Sequence, residues 1–207
     1  MKRSSLIEFV LHLVVVLSAS AIAVADGVAS TAHPLASNTA EEIFALGGNA
    51  ADAAIAVSLV LSVVEPTLSG LGGRAQALVR TQDGGYYGYN GMTEIPAVFK
   101  VDEQAAAYGY TTIATPGLVA LLEAVHQAHG SLPIGKLVEP AHRFASNGTK
   151  LLPGEASRHA SAAPVIRQDQ GMAGIFFDSR GGTFSAGALL RQPALATTLS
   201  RLAESGL

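Results

Sequence analysis

The sharpest chemical feature of the sequence is a glycine-dense run that ends in a basic residue, Ser69-Gly70-Leu71-Gly72-Gly73-Arg74. Glycines let main-chain N–H groups approach a ligand or another strand closely, and an arginine beside them offers a fork for a carboxylate. The spacing fits neither a G-x-G-x-x-G motif nor a Walker A loop, which disfavours a nucleotide site. The run predicts a tight helix-to-strand connection or a substrate-facing loop. For Arg74, ligand binding, a pair with Glu65 and simple solvation all stay open.

The other residue types that perform acid–base, metal or nucleophilic chemistry form no known motif. The six histidines lack an H-E-x-x-H pattern. His126 and His129 are three residues apart but complete no metal-ligand set, so a surface pair is favoured. No G-x-S-x-G elbow is present, and the absence of cysteine excludes disulfides, thiolate zinc sites and a cysteine nucleophile. Spacing alone therefore assigns no catalytic residue and no metal ligand.

Composition limits the classes of protein that this chain can represent. Its 207 residues carry 13 Lys and Arg against 16 Asp and Glu, a formal net charge of −3. This balance lacks the basic surface of a nucleic-acid-binding protein, so we expect no nucleic-acid partner. A charged fraction of 14% beside 49% hydrophobic residues argues against disorder. It indicates a well-buried interior or a surface that another element covers.

The N-terminus has the layout of an export signal. Lys2 and Arg3 precede a mostly apolar run over residues 6–25, which ends in the small-x-small triplet Ala23-Val24-Ala25. The run is also nearly long enough to span a bilayer, so a retained membrane anchor stays open. The sequence thus predicts a signal peptide or anchor over residues 1–25 and one domain over 26–207. Both alternatives predict a periplasmic, secreted or membrane-anchored protein.

The periodicity of the remaining chain predicts mixed helices and strands. Asn38 and Glu41 have the spacing of a capping box, and residues 50–64 form an apolar run that predicts a buried helix, with Asp52 in its first turn favouring the helix dipole. A hairpin is expected around Asp83-Gly84-Gly85. Further helices are expected over 118–129, 134–146 (interrupted near Pro140), 154–170 and 193–204. The fold class predicted is α/β or α+β.

Several segments, taken together and in order, resemble the γ-glutamyltranspeptidase family. The resemblance covers roughly residues 27–207, and its collinear set of short motifs is specific although each motif alone is weak. The matching segments are Val28-Ala29-Ser30-Thr31-Ala32-His33-Pro34-Leu35-Ala36-Ser37, Gly47-Gly48-Asn49-Ala50-Ala51-Asp52-Ala53-Ala54, Val64-Glu65-Pro66, Ser69-Gly70-Leu71-Gly72-Gly73, Thr115-Pro116-Gly117, Glu139-Pro140-Ala141 and Gln192-Pro193-Ala194-Leu195-Ala196-Thr197-Thr198-Leu199.

The resemblance implies a fold, an activity and a partner. Members of the family are N-terminal-nucleophile hydrolases with a four-layer αββα core, made as a precursor that cleaves itself into a large and a small subunit. The new N-terminal Thr of the small subunit is the nucleophile, and its own α-amine serves as base. Members transfer a γ-glutamyl group from glutathione or a similar amide to water or an amino acid. No metal or organic cofactor is implied.

This chain resembles only the first part of the large subunit. The resemblance therefore implies a partial αββα fold, with the nucleophile and the oxyanion-hole glycines on a small subunit outside these residues. We expect that this polypeptide alone does not catalyse the reaction and that the full-length product is an acyltransferase or amidohydrolase. The rival interpretations are a non-catalytic remnant or binding protein that kept the scaffold, and a membrane-anchored structural protein.

Three positions depart from the family pattern. The substrate-carboxylate arginine of the family lies in an Arg-Glu-x-Ala-Pro run, and counting back from Pro96 places Met92 at the arginine position and Thr93 at the glutamate position. A methionine cannot make the bidentate bond that holds an α-carboxylate. Arg74 stands where the family usually has another glycine. We therefore name Arg74 and Glu94 as candidate substrate-binding residues, and the acyl group is open between γ-glutamyl and a different acid.

Overall fold

The computed structural model describes residues 27–100 and 112–207. The predicted signal or anchor segment lies outside the described residues. The helices are α1 (Pro34–Ala45), α2 (Ala50–Val64), α3 (Leu118–His129), α4 (Ile134–Asn147), α5 (Pro153–Ile166), α6 (Gln170–Phe176) and α7 (Pro193–Ser205). The strands are β1 (Ala75–Arg80), β2 (Tyr86–Gly91), β3 (Thr149–Lys150) and β4 (Leu189–Leu190). β1 pairs with β2 and β3 with β4, both antiparallel.

Helix α2 is the centre of the hydrophobic core. It packs against α1, α3 and α4, and α7 packs on the far side of α4. Ile55, Leu59 and Val60 are fully buried. An apolar helix that meets neighbours on several faces has no polar stripe, and its many alanines let the neighbouring backbones come close. The predicted buried helix is confirmed.

Asp52 caps α2 and also ties it to a distant connection. Asn49 and Asp52 form a capping box, in which the Asp52 carboxylate accepts from the Asn49 N–H at 2.9 Å. The same carboxylate accepts from the main-chain N–H groups of Ser131, at 3.0 Å, and Leu132, at 3.3 Å, between α3 and α4. Burial raises its pKa, but hydrogen bonds from the Ser131 hydroxyl and from these N–H groups outweigh burial, so the pKa lies below the ordinary value.

The predicted hairpin is confirmed. β1 and β2 pair in register from Ala75 opposite Gly91 to Arg80 opposite Tyr86. In the turn between them, Gly84 has a φ of 91°, a backbone conformation that favours glycine. The core side of the hairpin faces α3, and the hydroxyl of Tyr89 lies 2.7 Å from Nε2 of His129.

The first helix begins earlier than the sequence predicts. Its N-cap is His33, whose Nδ1 accepts from the Leu35 N–H at 3.1 Å, and Pro34 occupies the first helical position. Proline fits there because its ring fixes φ and the N–H that it lacks has no helical acceptor. Asn38 and Glu41 lie inside the helix, so the predicted capping box at these residues is wrong.

Pro140 does not interrupt α4, contrary to the sequence-based expectation. The helix runs continuously from Ile134 to Asn147 with Pro140 buried inside it. α4 packs between α2 and α7, and burial of Leu137, Val138 and Ala141 on both sides of the proline stabilises the helix against the lost hydrogen bond. Among the described helices, none has the length and apolarity needed to cross a membrane.

Candidate functional site

The glycine run forms a short loop between α2 and β1. At its start, the Glu65 carbonyl accepts from the N–H groups of Leu68, at 2.9 Å, and Ser69, at 2.8 Å, and so closes a turn at the end of α2. Inside the loop, the Gly73 N–H donates to the Gly70 carbonyl at 2.9 Å. The loop is therefore a defined, hydrogen-bonded connection.

The glycines of this loop differ in what an added side chain would contact. A Cβ on Gly73 would come within 2.9 Å of the Gly70 carbonyl oxygen, so a side chain there would push the turn apart. A Cβ on Gly70 or Gly72 would meet no atom within 4 Å. Gly73 is thus required by close packing, whereas a side chain could be added at Gly70 or Gly72 without a steric clash.

The far end of the loop is held by the segment that starts α3. The Gly73 carbonyl accepts from the N–H groups of Gly117 and Leu118, both at 3.2 Å. Gly117 in turn lies against the end of β2, since a Cβ on it would be 2.4 Å from the Gly91 carbonyl oxygen. Sequence reasoning recognised Thr115-Pro116-Gly117 only as a family motif before a helix, because a close approach of two backbones has no local pattern.

The same segment also holds the stretch that contains Met92 and Glu94. The N–H of Thr115 donates to the Glu94 carbonyl at 2.8 Å, and the N–H of Glu94 donates to the Thr115 carbonyl at 3.2 Å. The side chain of Glu94 is exposed, and Met92 is 39% exposed. The fold therefore joins two stretches that are distant in sequence, the 69–74 loop and residues 92–94, to one backbone segment.

An open cavity of about 380 Å³ lies beside the loop. Its wall combines hydroxyl groups and aliphatic side chains of α2 with the loop and the start of α3. The lining residues are Ser58, Leu61, Ser62, Leu68, Ser69, Gly70, Gly73, Arg74, Ala75 and Leu118. A cavity lined by a guanidinium group, three serine side chains and a glycine-rich main chain suits an anionic or amide ligand.

Arg74 is the cation of that cavity. Its side chain is exposed and forms no ion pair with any residue in 27–100 or 112–207. Glu65, the alternative partner considered from the sequence, is buried and pairs with Arg158 instead, at 3.6 Å. Of the three interpretations of Arg74, the pair with Glu65 is therefore wrong.

His126 and His129 are engaged in other contacts. Nε2 of His126 lies 2.9 Å from the Leu132 carbonyl, and Nε2 of His129 bonds the Tyr89 hydroxyl. Both side chains are half-buried rather than on the open surface. Within the described ranges, no group of three or more His, Asp or Glu side chains is arranged to hold a metal ion.

The sequence model of the gamma-glutamyltranspeptidase family matches residues 36–207. The chain belongs to this family. It is similar to Glutathione hydrolase 2 of Arabidopsis thaliana, with 31% identity over 206 residues, covering 97% of this chain and 36% of that protein. It is 35% identical over 177 residues to the capsule biosynthesis protein CapD proenzyme of Bacillus anthracis, covering 86% of this chain and 31% of that protein.

Solved structures confirm the fold class. The γ-glutamyltranspeptidase of Helicobacter pylori superposes with a TM-score of 0.82 at 28% identity, covering 87% of this chain and 54% of that chain. The α+β class and the partial Ntn-hydrolase fold predicted from the γ-glutamyltranspeptidase resemblance are thereby confirmed. The chain spans about a third of the length of the curated relatives that it matches.

Proposed function

We propose that this chain supplies the large-subunit scaffold and part of the substrate site of an acyltransferase or amidohydrolase acting on γ-glutamyl or related acyl amides. The observation that carries the proposal is the cavity beside the 69–74 loop, where Arg74, which forms no ion pair within residues 27–100 and 112–207, lies next to the glycines of the loop. Membership of the γ-glutamyltranspeptidase family supplies the reaction class.

The proposal requires a second subunit. The family resemblance assigns the nucleophile to an N-terminal Thr of the small subunit, with its α-amine as base, and the acyl-enzyme it forms divides one difficult step into two easier ones. The relatives named as proenzymes support a precursor that is processed. In the proposed division of roles, the residues described here bind and orient the acyl group, and the small subunit performs the chemistry.

Arg74 and Glu94 have distinct roles in the proposal. The guanidinium of Arg74 would bind the carboxylate of the acyl group, a role left vacant by Met92 at the family's arginine position. Glu94, whose exposed carboxylate projects from the stretch joined to Thr115, would bind a substrate ammonium group. Both assignments rest on the charge and exposure of the two side chains and on the backbone segment that joins their stretches.

A kinetic comparison of variants of the full-length protein tests the proposal. With a γ-glutamyl anilide as substrate, Arg74→Ala should raise KM roughly 10- to 100-fold with a smaller change in kcat, because a charged hydrogen bond contributes about 1.5–3 kcal/mol. Arg80→Ala, at the opposite end of β1, is the matched control. Glu94→Gln should raise KM only for substrates that carry a free amino group.

The possible results separate the alternatives. An unchanged KM for Arg74→Ala would overturn the role of Arg74. A full-length protein without activity on glutathione, γ-glutamyl anilides or other acidic acyl amides would favour the non-catalytic binding protein. Activity on another acidic acyl amide but not on γ-glutamyl substrates would assign the different acid that Met92 suggests.

We further propose that the protein is exported, on the strength of the basic start, apolar run and Ala23-Val24-Ala25 triplet. A cleaved signal predicts that the exported protein begins at Asp26. Intact mass measurement of the exported product decides between this and a retained N-terminal anchor, which would keep residues 1–25.

A further inference from the structure

A partly buried polar cluster joins the turn before the 69–74 loop to helix α5. It consists of Glu65 and Thr67 at the end of α2 and of Glu155, Arg158 and His159 on α5. Glu155 is 1% exposed and Glu65 is 7% exposed. One guanidinium nitrogen of Arg158 bonds Glu155 and lies 3.6 Å from Glu65, so a single cation is shared by two buried carboxylates.

Thr67 completes the connection between the two elements. Its hydroxyl accepts from Nε of Arg158 at 3.1 Å and donates to Oε2 of Glu155 at 3.4 Å. A hydroxyl that accepts a hydrogen bond from one side chain and donates one to another restrains the positions of both side chains. Through Glu65 and Thr67, Arg158 therefore contacts two residues of the turn that leads into the loop, although it is about 90 positions away in sequence.

The cluster depends on Arg158 for its charge balance. Two carboxylates out of water need a counter-ion, and without one each becomes costly to keep ionised. The neighbouring His159 is fully buried; its Nε2 lies 3.4 Å from Oε2 of Glu155, and neither ring nitrogen forms a hydrogen bond with a residue in 27–100 or 112–207. Arg158 is thus the positive charge that keeps Glu65 and Glu155 together.

The turn that Arg158 contacts sets the course of the loop. The main-chain carbonyl of Glu65 accepts from Leu68 and Ser69, and the loop follows directly. At its other end, the loop is held by the bonds from Gly117 and Leu118 to Gly73. The loop is therefore held at both ends, by hydrogen bonds from the start of α3 at one end and by the contacts of Arg158 at the other.

We propose that Arg158 is a positioning residue, which fixes the start of the 69–74 loop through Glu65 and Thr67 and thereby sets how Arg74 and the loop main chain line the cavity. The expected effect on substrate binding rests on the proposed function. The expected effect on the order of the loop does not, so loop exchange and enzyme kinetics are measured separately.

Hydrogen–deuterium exchange of the full-length protein tests the structural part. In Arg158→Ala, amides over residues 68–74 should exchange at least about tenfold faster than in the wild type, because the contacts that hold one end of the loop are lost. Arg143→Ala is the matched control. Arg143 also joins two glutamates, Glu42 at 2.8 Å and Glu139 at 2.9 Å, and its side chain is 35% exposed against 37% for Arg158.

Two further variants keep the test decisive if Arg158→Ala does not fold. Arg158→Lys keeps the charge and should restore most of the loop protection. Thr67→Val removes only the bridging hydroxyl and should raise loop exchange severalfold, with the rest of the chain unaffected. Loop exchange in Thr67→Val or Arg158→Ala that equals that of Arg143→Ala would overturn the proposal.

Kinetics of the same variants test the consequence for substrate. Arg158→Ala should raise KM for the acidic acyl amide severalfold more than it lowers kcat, and Arg158→Lys should reverse most of this change. An unchanged KM together with a loosened loop would overturn the positioning role in the reaction. If no variant and no wild-type protein shows activity, the proposed function fails, while the exchange result still decides whether Arg158 holds the loop.

Discussion

Asp52 shows how one buried carboxylate joins two parts of the chain. It is fully buried and accepts hydrogen bonds from Asn49, Ser131 and Leu132. Asp52→Ala should lower the free energy of unfolding by about 3 kcal/mol, since it leaves several buried donors without an acceptor. Urea denaturation at pH 7 measures the change.

Asp83→Ala is the control for that prediction. Asp83 also accepts local hydrogen bonds, but it lies in the exposed hairpin turn. Asp83→Ala should therefore lower the free energy of unfolding far less than Asp52→Ala does. A loss equal to that of Asp52→Ala would contradict the importance of burial. The contribution of Asp52 is present above the unfolded-state pKa of 3.8 and disappears as the pH falls through its lowered native pKa.

His159 makes stability sensitive to mild acid. Burial lowers its pKa more than the nearby Glu155 raises it, and Arg158 lowers it further. Its contribution to the free energy of unfolding is therefore fully present above the unfolded-state pKa of 6.5. That contribution is lost as the pH falls below this value, because His159 then binds a proton more readily in the unfolded chain than in the native one.

The urea midpoint should accordingly fall between pH 7 and pH 5 in the wild type and fall less in His159→Gln. His33, whose pKa is also lowered by burial, should keep part of the slope in that variant. His142→Gln, which removes a half-buried histidine of α4, is the control and should retain most of the wild-type slope. Identical slopes in wild type and His159→Gln would refute the prediction.

At the scale of elements, the contact between β2 and the start of α3 decides the geometry of the candidate site. Gly117 has an ordinary backbone conformation, with φ −115° and ψ −12°, so a glycine is required there for steric rather than conformational reasons. A Cβ there would lie 2.4 Å from the Gly91 carbonyl oxygen. Gly117→Ala should destabilise the protein by about 2 kcal/mol, because the two backbones must separate.

Gly88→Ala, on the same strand as Gly91, is the matched control for this prediction. A Cβ on Gly88 would meet no atom within 4 Å, so the substitution should be close to neutral. Thermal unfolding of both variants measures the difference. Equal losses would show that glycine content, rather than the close approach, matters in this region.

At the scale of the whole molecule, burial is uneven between the helical core and the hairpin. Ile55 and Leu59 in α2 are fully buried, whereas Leu78 of β1 is 73% exposed and Tyr86 of β2 is 66% exposed. A two-stranded sheet covered on one side has little stability of its own. In the 207-residue chain, hairpin amides should therefore exchange roughly 100-fold faster than those of α2.

Exchange followed by NMR measures this difference residue by residue. Protection of β1 equal to that of α2 would contradict the expectation. The same measurement also tests the proposed small subunit. If that subunit packs on the open side of the hairpin, exchange in β1 and β2 should be slower in its presence, and exchange in α2 should be unchanged.

The sequence by itself determined the elements whose signals are local. The apolar run predicted α2, and Asp83-Gly84-Gly85 predicted the hairpin, because side-chain periodicity and turn chemistry act over a few residues. The collinear motifs indicated the γ-glutamyltranspeptidase family. Two local predictions, the cap at Asn38 and the break at Pro140, were wrong, because His33 with Pro34 made a better helix start and packing on both sides stabilised α4.

Only the tertiary structure decided which distant residues meet. It joined the loop that carries Arg74 to the stretch that carries Glu94 through the segment around Gly117, and it paired Glu65 with Arg158 rather than with Arg74. These contacts bring together residues from about 20 to 90 positions apart, and they depend on how buried helices pack and on where buried charges find partners. Such choices follow from the energy of the whole core, which no short stretch of sequence contains.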